Sequence, residues 1–186
     1  MTRPLLVAED INARRSLFRV FGVTWSATRY AWVGPLSWAT LGLAMAFASQ
    51  KDAGAARVLA AGFGYAVVLY AANILHSVGH VIAGRIVGAP VDVVLVTSTR
   101  DVMVYAQPGA AAPARSRLRC ALGGPAANLA AGCVLTLAGH VTEAPWIVVA
   151  GWMNVGIAVW TLMPIPSLDG WVVWNLWTRS RGGDAG

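Results

Sequence analysis

Two histidines four residues apart, His76 and His80, are the residues of this sequence best suited to bind a metal ion. On a helix this spacing puts both imidazoles on one face, where they can share one metal ion. Zinc is the expected ion, because imidazole nitrogens are among its usual ligands. The alternative is a pair of histidines that form hydrogen bonds between helices. Ser77, which follows the first histidine, has a hydroxyl that does not ionise near neutral pH.

The composition of the chain indicates that this pair lies in a membrane. The 186 residues are 57% hydrophobic and 12% charged, with a mean hydropathy of +0.60, whereas a soluble domain carries about 25% charged residues. The net charge of +6 comes almost wholly from arginines that flank apolar runs. This placement is typical of membrane topology and not of nucleic-acid binding. We therefore predict an integral protein of the cell (plasma) membrane. Its expected partner is the lipid bilayer, and we expect it to bind no nucleic acid.

Four apolar segments are each near the ~20 residues that a helix needs to cross a bilayer. Arginines concentrate before the first segment, between the second and third, and after the fourth. By the positive-inside rule, both termini and the central loop are then cytoplasmic. The predicted fold is an α-helical polytopic membrane protein with about four transmembrane helices, over residues 32–49, 57–87, 118–138 and 146–163.

Two segments favour β-structure. Residues 91–105 are rich in β-branched side chains and predict two strands with a turn near Ser98 to Asp101, as a small cytoplasmic sheet or hairpin. Residues 18–30 favour a strand, a hairpin or an interfacial helix. We expect a single membrane domain over residues 1–186. Its parts are an N-terminal strand or interfacial segment at 16–31, a four-helix core at 32–163 with a strand insert at 91–106, and a final segment and tail at 164–186.

A zinc site that keeps one position open for water needs a third protein ligand. His140 and Glu143 fall in an external loop, whereas the histidine pair lies toward the cytoplasmic end of the second span. Asp169 follows two prolines that end the fourth span, where irregular backbone can enter a membrane if it lines a cavity. Its depth matches that of the histidines. The alternative is an aspartate that caps the short apolar tail.

Two asparagines lie inside predicted spans. Asn128 ends the run Gly-Gly-Pro-Ala-Ala-Asn of the third span, and Asn154 lies in the fourth. A carboxamide in hydrocarbon needs a hydrogen-bond partner. Each asparagine either joins helices or orients a ligand or a substrate backbone.

Taken in order, these motifs resemble those of the site-2 proteases, which are intramembrane zinc metalloproteases that cut membrane-spanning substrates. The family's HExxH helix corresponds to HSVGH at 76–80, its GPxxN helix to GPAANL at 124–129, and its LLPxPxLDG motif to LMPIPSLDG at 162–170. The strand insert matches as well, and the likeness runs from about Phe18 to Gly170. The resemblance implies one zinc ion held by His76, His80 and Asp169, with Asn128 and Asn154 near the site.

The sequence departs from this family at Ser77, which stands where the catalytic glutamate of HExxH is expected. That glutamate activates water and carries its proton, help that is typically worth about 10²–10⁴-fold. Asp92 and Asp101 fall in the strand insert, and we expect neither to replace it. We therefore predict a pseudoprotease, which binds zinc, lacks normal proteolytic activity and binds a membrane-spanning partner.

Two other interpretations stay open. The chain is an active intramembrane metalloprotease if a water network or an unrecognised acid replaces the glutamate. It is a metal-free membrane scaffold or carrier if the histidines only join helices. In either protease-like case, an edge of the strand insert can accept an extended peptide as an added strand, unless the sheet only closes the cytoplasmic face.

Overall fold

Within residues 14–98, 100–105 and 114–182, which the computed structural model describes, the chain forms five helices and four strands. The end of the predicted strand insert, at residue 106, lies outside these ranges. In chain order the elements are β1 (Arg15–Val20), β2 (Val23–Ala27), α1 (Val33–Ser49), α2 (Ala55–Ile86), β3 (Val91–Val96), β4 (Asp101–Tyr105), α3 (Ala114–Val141), α4 (Pro145–Thr161) and α5 (Asp169–Gly182).

Helices α1 to α4 occupy the four apolar segments. Helices α2 and α3, of 32 and 28 residues, are long and apolar enough to cross a membrane, whereas α1 and α4 have 17 residues each. Large apolar side chains such as Phe63 and Leu137 point outward, with 74% and 67% of their surface exposed. A helix that is apolar on every face suits a membrane or a large core. The mostly helical fold is confirmed, and the count of about four spans stays a prediction.

The four strands form one sheet in the order β1-β2-β3-β4. Strands β1 and β2 are an antiparallel hairpin, closed by Phe21 and Gly22 with positive φ angles of 49° and 78°. Of the alternatives for residues 18–30, the hairpin is the one that forms, and the interfacial helix is wrong. Strand β2 pairs in parallel with β3, and β3 pairs antiparallel with β4. The N-terminal hairpin and the predicted insert are therefore one sheet, with β4 at its edge.

The sheet packs on the end of α2 that carries the histidines. Val81 of α2 is buried in a cluster with Val23 and Trp25 of β2 and with Val91 and Val94 of β3. β-branched and aromatic side chains favour strands and supply this apolar face. The cluster fixes the sheet against the helix one residue beyond His80.

Helix α3 approaches α2 most closely where both helices carry glycine. A Cβ atom on Gly79 would collide with the carbonyl oxygen of Gly123, and a Cβ on Gly123 would lie 2.6 Å from the carbonyl oxygen of Gly79. Small residues let membrane helices pack backbone to backbone. This crossing brings α3 against the turn of α2 that holds the histidine pair.

Candidate metal centre

The three predicted ligands lie together, although Asp169 is 93 residues from His76 in the chain. The two Nε2 atoms of His76 and His80 are 3.0 Å apart. Asp169 reaches both rings, with Oδ2 3.0 Å from Nε2 of His76 and Oδ1 3.3 Å from Nε2 of His80. All three residues offer ligand atoms within 4.8 Å of one another. Helices α2 and α5 therefore present three donors to one point.

These separations fit a single zinc ion. Tetrahedral ligands at about 2.0–2.1 Å from zinc lie about 3.3 Å from one another, and the donor atoms here are 3.0 to 3.3 Å apart. Two facing imidazole nitrogens at such a distance need a proton or a metal ion between them. Two histidines and one carboxylate are also the kind of donor set that leaves a fourth position for water or substrate. The residues present match a catalytic type of zinc site.

A backbone carbonyl orients the ring of His80. The Nδ1 atom of His80 lies 2.8 Å from the carbonyl oxygen of Cys120 on α3. A carbonyl can only accept, so Nδ1 carries the proton and Nε2 presents its lone pair to the ligand cluster. Partners of this kind hold metal-binding imidazoles in one tautomer and orientation.

Gly124 leaves room for both imidazoles. A Cβ atom there would lie 2.5 Å from Nε2 of His76 and 2.6 Å from Nε2 of His80, closer than side chains approach. Helix α3 thus faces the ligand atoms with bare backbone. In the sequence, this glycine stands out only as the first residue of the GPAANL motif at 124–129. Its position beside Pro125, inside an apolar helix that proline normally interrupts, is the signal for a special role.

Two contacts position the carboxylate of Asp169 at the start of α5. Gly170 packs directly against the carbonyl oxygen of Leu162, so a side chain at position 170 would collide with backbone. The guanidinium of Arg100 donates to the carbonyl oxygen of Ser167, at 2.7 Å, and ties this segment to the β3–β4 connection. The Pro-x-Pro-x-Leu-Asp-Gly segment is therefore held on one side by α4 and on the other by the sheet.

A cavity of about 1350 Å³ opens onto the ligand cluster. Its walls include parts of α1 and α2, strand β4, the end of α4 and the beginnings of α3 and α5, and they are mainly apolar. Clefts of this kind, with a few converging polar groups, are where proteins bind ligands. The side chains of His76, Ser77, His80, Asp101 and Asp169 all line it.

A comparison with solved structures identifies the same arrangement of elements in another protein. The Site-2 Protease from Methanocaldococcus jannaschii matches with a TM-score of 0.59 and 16% sequence identity, over 87% of this chain and 69% of that chain. The chain has the site-2 protease fold. The resemblance drawn from the motifs is thus confirmed at the level of the fold. No protein-family model matches the sequence, and a comparison with curated proteins gives no match.

Where the motif resemblance predicts the HExxH glutamate, this chain has a hydrogen-bonded serine. Ser77 is 1% exposed, and its hydroxyl donates to Oδ2 of Asp101 at 2.5 Å. Asn73, one turn earlier on α2, donates its amide to the same oxygen at 3.3 Å. The sequence offered no reason to expect Asp101, an acid of the strand insert, at this position, and whether it replaces the glutamate is not decided by the contact itself. Asp92, the other acid of the strand insert, is exposed on β3.

The reason for this difference is the path of the β3–β4 hairpin. Asp101 pairs with Val96 at the closed end of the hairpin, which folds back against α2. The carboxylate therefore meets Ser77, 24 residues earlier in the chain. Asn73 was missed as well, although its four-residue spacing from Ser77 places both on one helix face.

The two predicted asparagines are buried but stand apart from the cavity wall. Asn128 is fully buried, and within the part of the chain that the structure describes neither atom of its amide group has a hydrogen-bond partner. Asn154 donates to the carbonyl oxygen of Ala150 on its own helix, at 2.9 Å. Among the described residues, the cavity lining includes neither of them. Their contact with a ligand or substrate stays a prediction.

Proposed function

We propose that this chain is a zinc-dependent membrane protein that acts on membrane-spanning polypeptide segments. The observation that supports this most is the convergence of His76, His80 and Asp169, in a geometry suited to one zinc ion. When bound, zinc polarises a carbonyl group and lowers the pKa of water. The chain's own residues hold the ion, keep the imidazoles oriented and line the cavity where a peptide bond would lie.

The site would lie inside the bilayer, near its cytoplasmic face. His80 is five residues before Arg85 on α2, which is about 7.5 Å along a helix axis. Arginines of the predicted cytoplasmic loops flank the same end of the helical core. Both termini would then be cytoplasmic, and the cell membrane is the proposed location.

A membrane-spanning segment would reach the metal in an extended form. Strand β4 is one of the two edge strands of the described sheet, and its residues from Asp101 to Tyr105 line the cavity. An exposed edge can pair with an extended peptide through backbone hydrogen bonds. The apolar cavity would accept the side chains of an unwound transmembrane segment, with one peptide bond beside the ligand cluster.

The presence of Ser77 favours a second candidate, a zinc-binding pseudoprotease that holds its partner without cutting it. A serine hydroxyl cannot take up a proton near neutral pH. The hydrolytic candidate therefore requires a base from outside the HSVGH segment. The two candidates share the metal site and the membrane-spanning partner, and they differ in the reaction alone.

Metal analysis of the purified protein tests this proposal. The wild type is expected to carry one zinc ion per chain, and His76→Ala is expected to lose it. His140→Ala is the matched control, because His140 lies near the C-terminal end of α3, whereas Gly124 faces the histidine pair from the first half of that helix. Zinc-free wild type that gains no stability from added zinc would support the metal-free scaffold, since an ion bound to the folded state must stabilise it.

A further inference from the structure

We infer that Asp101 is the general base of this site, a carboxylate supplied by strand β4 in place of the glutamate that is absent at position 77. The inference rests on the proposed function, because it assigns a residue to the hydrolytic form of that zinc site. It makes the hydrolytic candidate chemically complete with residues that the chain already has.

The position of Asp101 reproduces the reach of a glutamate. A glutamate side chain holds its carboxylate two carbon atoms beyond Cβ. Here Ser77 contributes one hydroxyl beyond Cβ, and a 2.5 Å hydrogen bond joins that hydroxyl to Oδ2 of Asp101. Oδ2 of Asp101 therefore lies about as far from the backbone of α2 as a carboxylate oxygen of a glutamate would, and Asp101 lines the same cavity as the ligands.

Asp101 stands beside the metal ligands without joining them. Within the described residues, the cluster of possible ligand atoms comprises His76, His80 and Asp169, and Asp101 is not part of it. A general base has to be near the reacting atoms and free to take a proton. A carboxylate committed to the metal would not meet that requirement.

The surroundings of Asp101 suit a group that gains and loses a proton. The hydrogen bonds from Ser77 and Asn73 both go to Oδ2, so neither of them uses Oδ1. Burial raises the pKa of Asp101, against the opposing effect of the Ser77 hydrogen bond. A carboxyl group with a raised pKa is a better base near neutral pH. Ser77 and Asn73 are thus positioning residues that aim the carboxylate.

The proposed reaction is hydrolysis of one peptide bond, and its atoms balance. The oxygen of a water molecule bonds to the carbonyl carbon while one of its protons moves to Asp101. Asp101 then returns that proton to the amide nitrogen as the carbon–nitrogen bond breaks. The products are a carboxyl group and an amine, and the carboxylate of Asp101 is regenerated.

The alternative is a purely structural role, in which the contact between Asp101 and Ser77 only holds the sheet against α2. The variant Asp101→Asn distinguishes the two, because an amide oxygen still accepts from Ser77 but is no base. The probe is a synthetic peptide with one apolar span of about 20 residues, in vesicles of phosphatidylethanolamine and phosphatidylglycerol. We expect wild-type zinc content and thermal stability, with cleavage reduced by about 10²–10⁴-fold. The matched control Asp92→Asn, on the exposed face of the neighbouring strand, should cleave at the wild-type rate.

A double variant that removes the carboxylate at position 101 and places one at position 77 of α2 gives a second, independent test. In Asp101→Ala the base is gone, and space opens beside Ser77. Adding Ser77→Glu to that variant should restore cleavage by at least about tenfold, part of the range for general-base help. If Asp101→Asn does not fold, a comparison of Asp101→Ala with and without Ser77→Glu still tests the role of Asp101. Ser77→Ala adds a further test, because loss of this positioning residue should lower kcat with little change in KM.

The outcomes separate this inference from the proposed function. Asp101→Asn that binds zinc and cleaves at the wild-type rate overturns the role of Asp101. Zinc-loaded wild type that leaves the peptide intact also overturns it and supports the pseudoprotease. Wild type that binds no zinc refutes the proposed function itself.

Discussion

The two carboxylates at the centre of the molecule differ in what they face, and that difference separates their roles. Both oxygens of Asp169 point to imidazole nitrogens of α2, at 3.0 and 3.3 Å. Asp101 instead receives neutral donors from Ser77 and Asn73 on one of its oxygens. A carboxylate tied to two ring nitrogens is suited to bind metal, whereas one held by a hydroxyl and an amide can exchange a proton. Paired acids with distinct surroundings commonly mark an acid–base site.

The ligand side of this comparison depends on empty space over the histidines. In Gly124→Ala the new methyl group would collide with both Nε2 atoms, so the imidazole rings or the backbone of α3 must shift. We expect zinc affinity to fall by at least about 100-fold, the upper end of the losses seen when only an outer partner of a ligand is removed. Titration of the metal-free protein with zinc measures it.

Gly156→Ala is the control for that variant, since it makes the same change on α4 where nothing lies within 4 Å. Its zinc affinity should equal that of the wild type. Equal zinc affinities in both variants would mean that the backbone of α3 at Gly124 does not lie against the metal site.

The crossing of α2 and α3 supports both sides of the site at once. Gly79→Ala would press a methyl group into the backbone of Gly123 and the side chain of Ala127. Overpacking of this kind typically costs about 1–3 kcal/mol, so the thermal midpoint in detergent should fall. Zinc affinity and cleavage should decrease together. Gly64→Ala, on the open face of the same helix, should leave all three unchanged or slightly raise the midpoint.

The base side can be weakened without touching the ligands. Asn73→Ala removes one of the two donors to Asp101. A hydrogen bond to a charged group contributes about 1.5–3 kcal/mol, and part of that orients the carboxylate, so we expect cleavage to drop about tenfold. Zinc content should stay at the wild-type value. A matching loss of zinc would mean that Asn73 supports the metal ligands, which would contradict the separate roles of the two carboxylates.

The helices and the ligand triad could be predicted because their signals are local. Four apolar runs of suitable length indicate helices wherever they fold, and a four-residue spacing places His76 and His80 on one helix face. Asp169 could be added because the topology put it at the same depth. For the helices and the histidine pair the neighbouring sequence carries the information, whereas Asp169 also required the charge pattern of the loops.

The role of the sheet could not be predicted, because it depends on contacts between distant segments. The parallel pairing of β2 with β3 joins strands that the whole of α1 and α2 separates. The contact of Asp101 with Ser77 exists only once the β3–β4 hairpin has folded onto α2. A lone aspartate in an apolar strand gives no sign of which surface it will meet. Asn128 and Asn154 show the converse, because their place inside apolar spans could be predicted but their hydrogen bonding could not. Asn154 donates to its own helix, and the amide of Asn128 has no hydrogen-bond partner among the described residues.

Zinc content, measured side by side in Asp169→Asn and Asp101→Asn, tests the separation of the two carboxylates most directly. The substitutions are chemically identical, and both sites line one cavity. The account predicts that Asp169→Asn loses zinc while Asp101→Asn retains one ion per chain. Equal zinc contents in the two variants, whether both full or both empty, would contradict it.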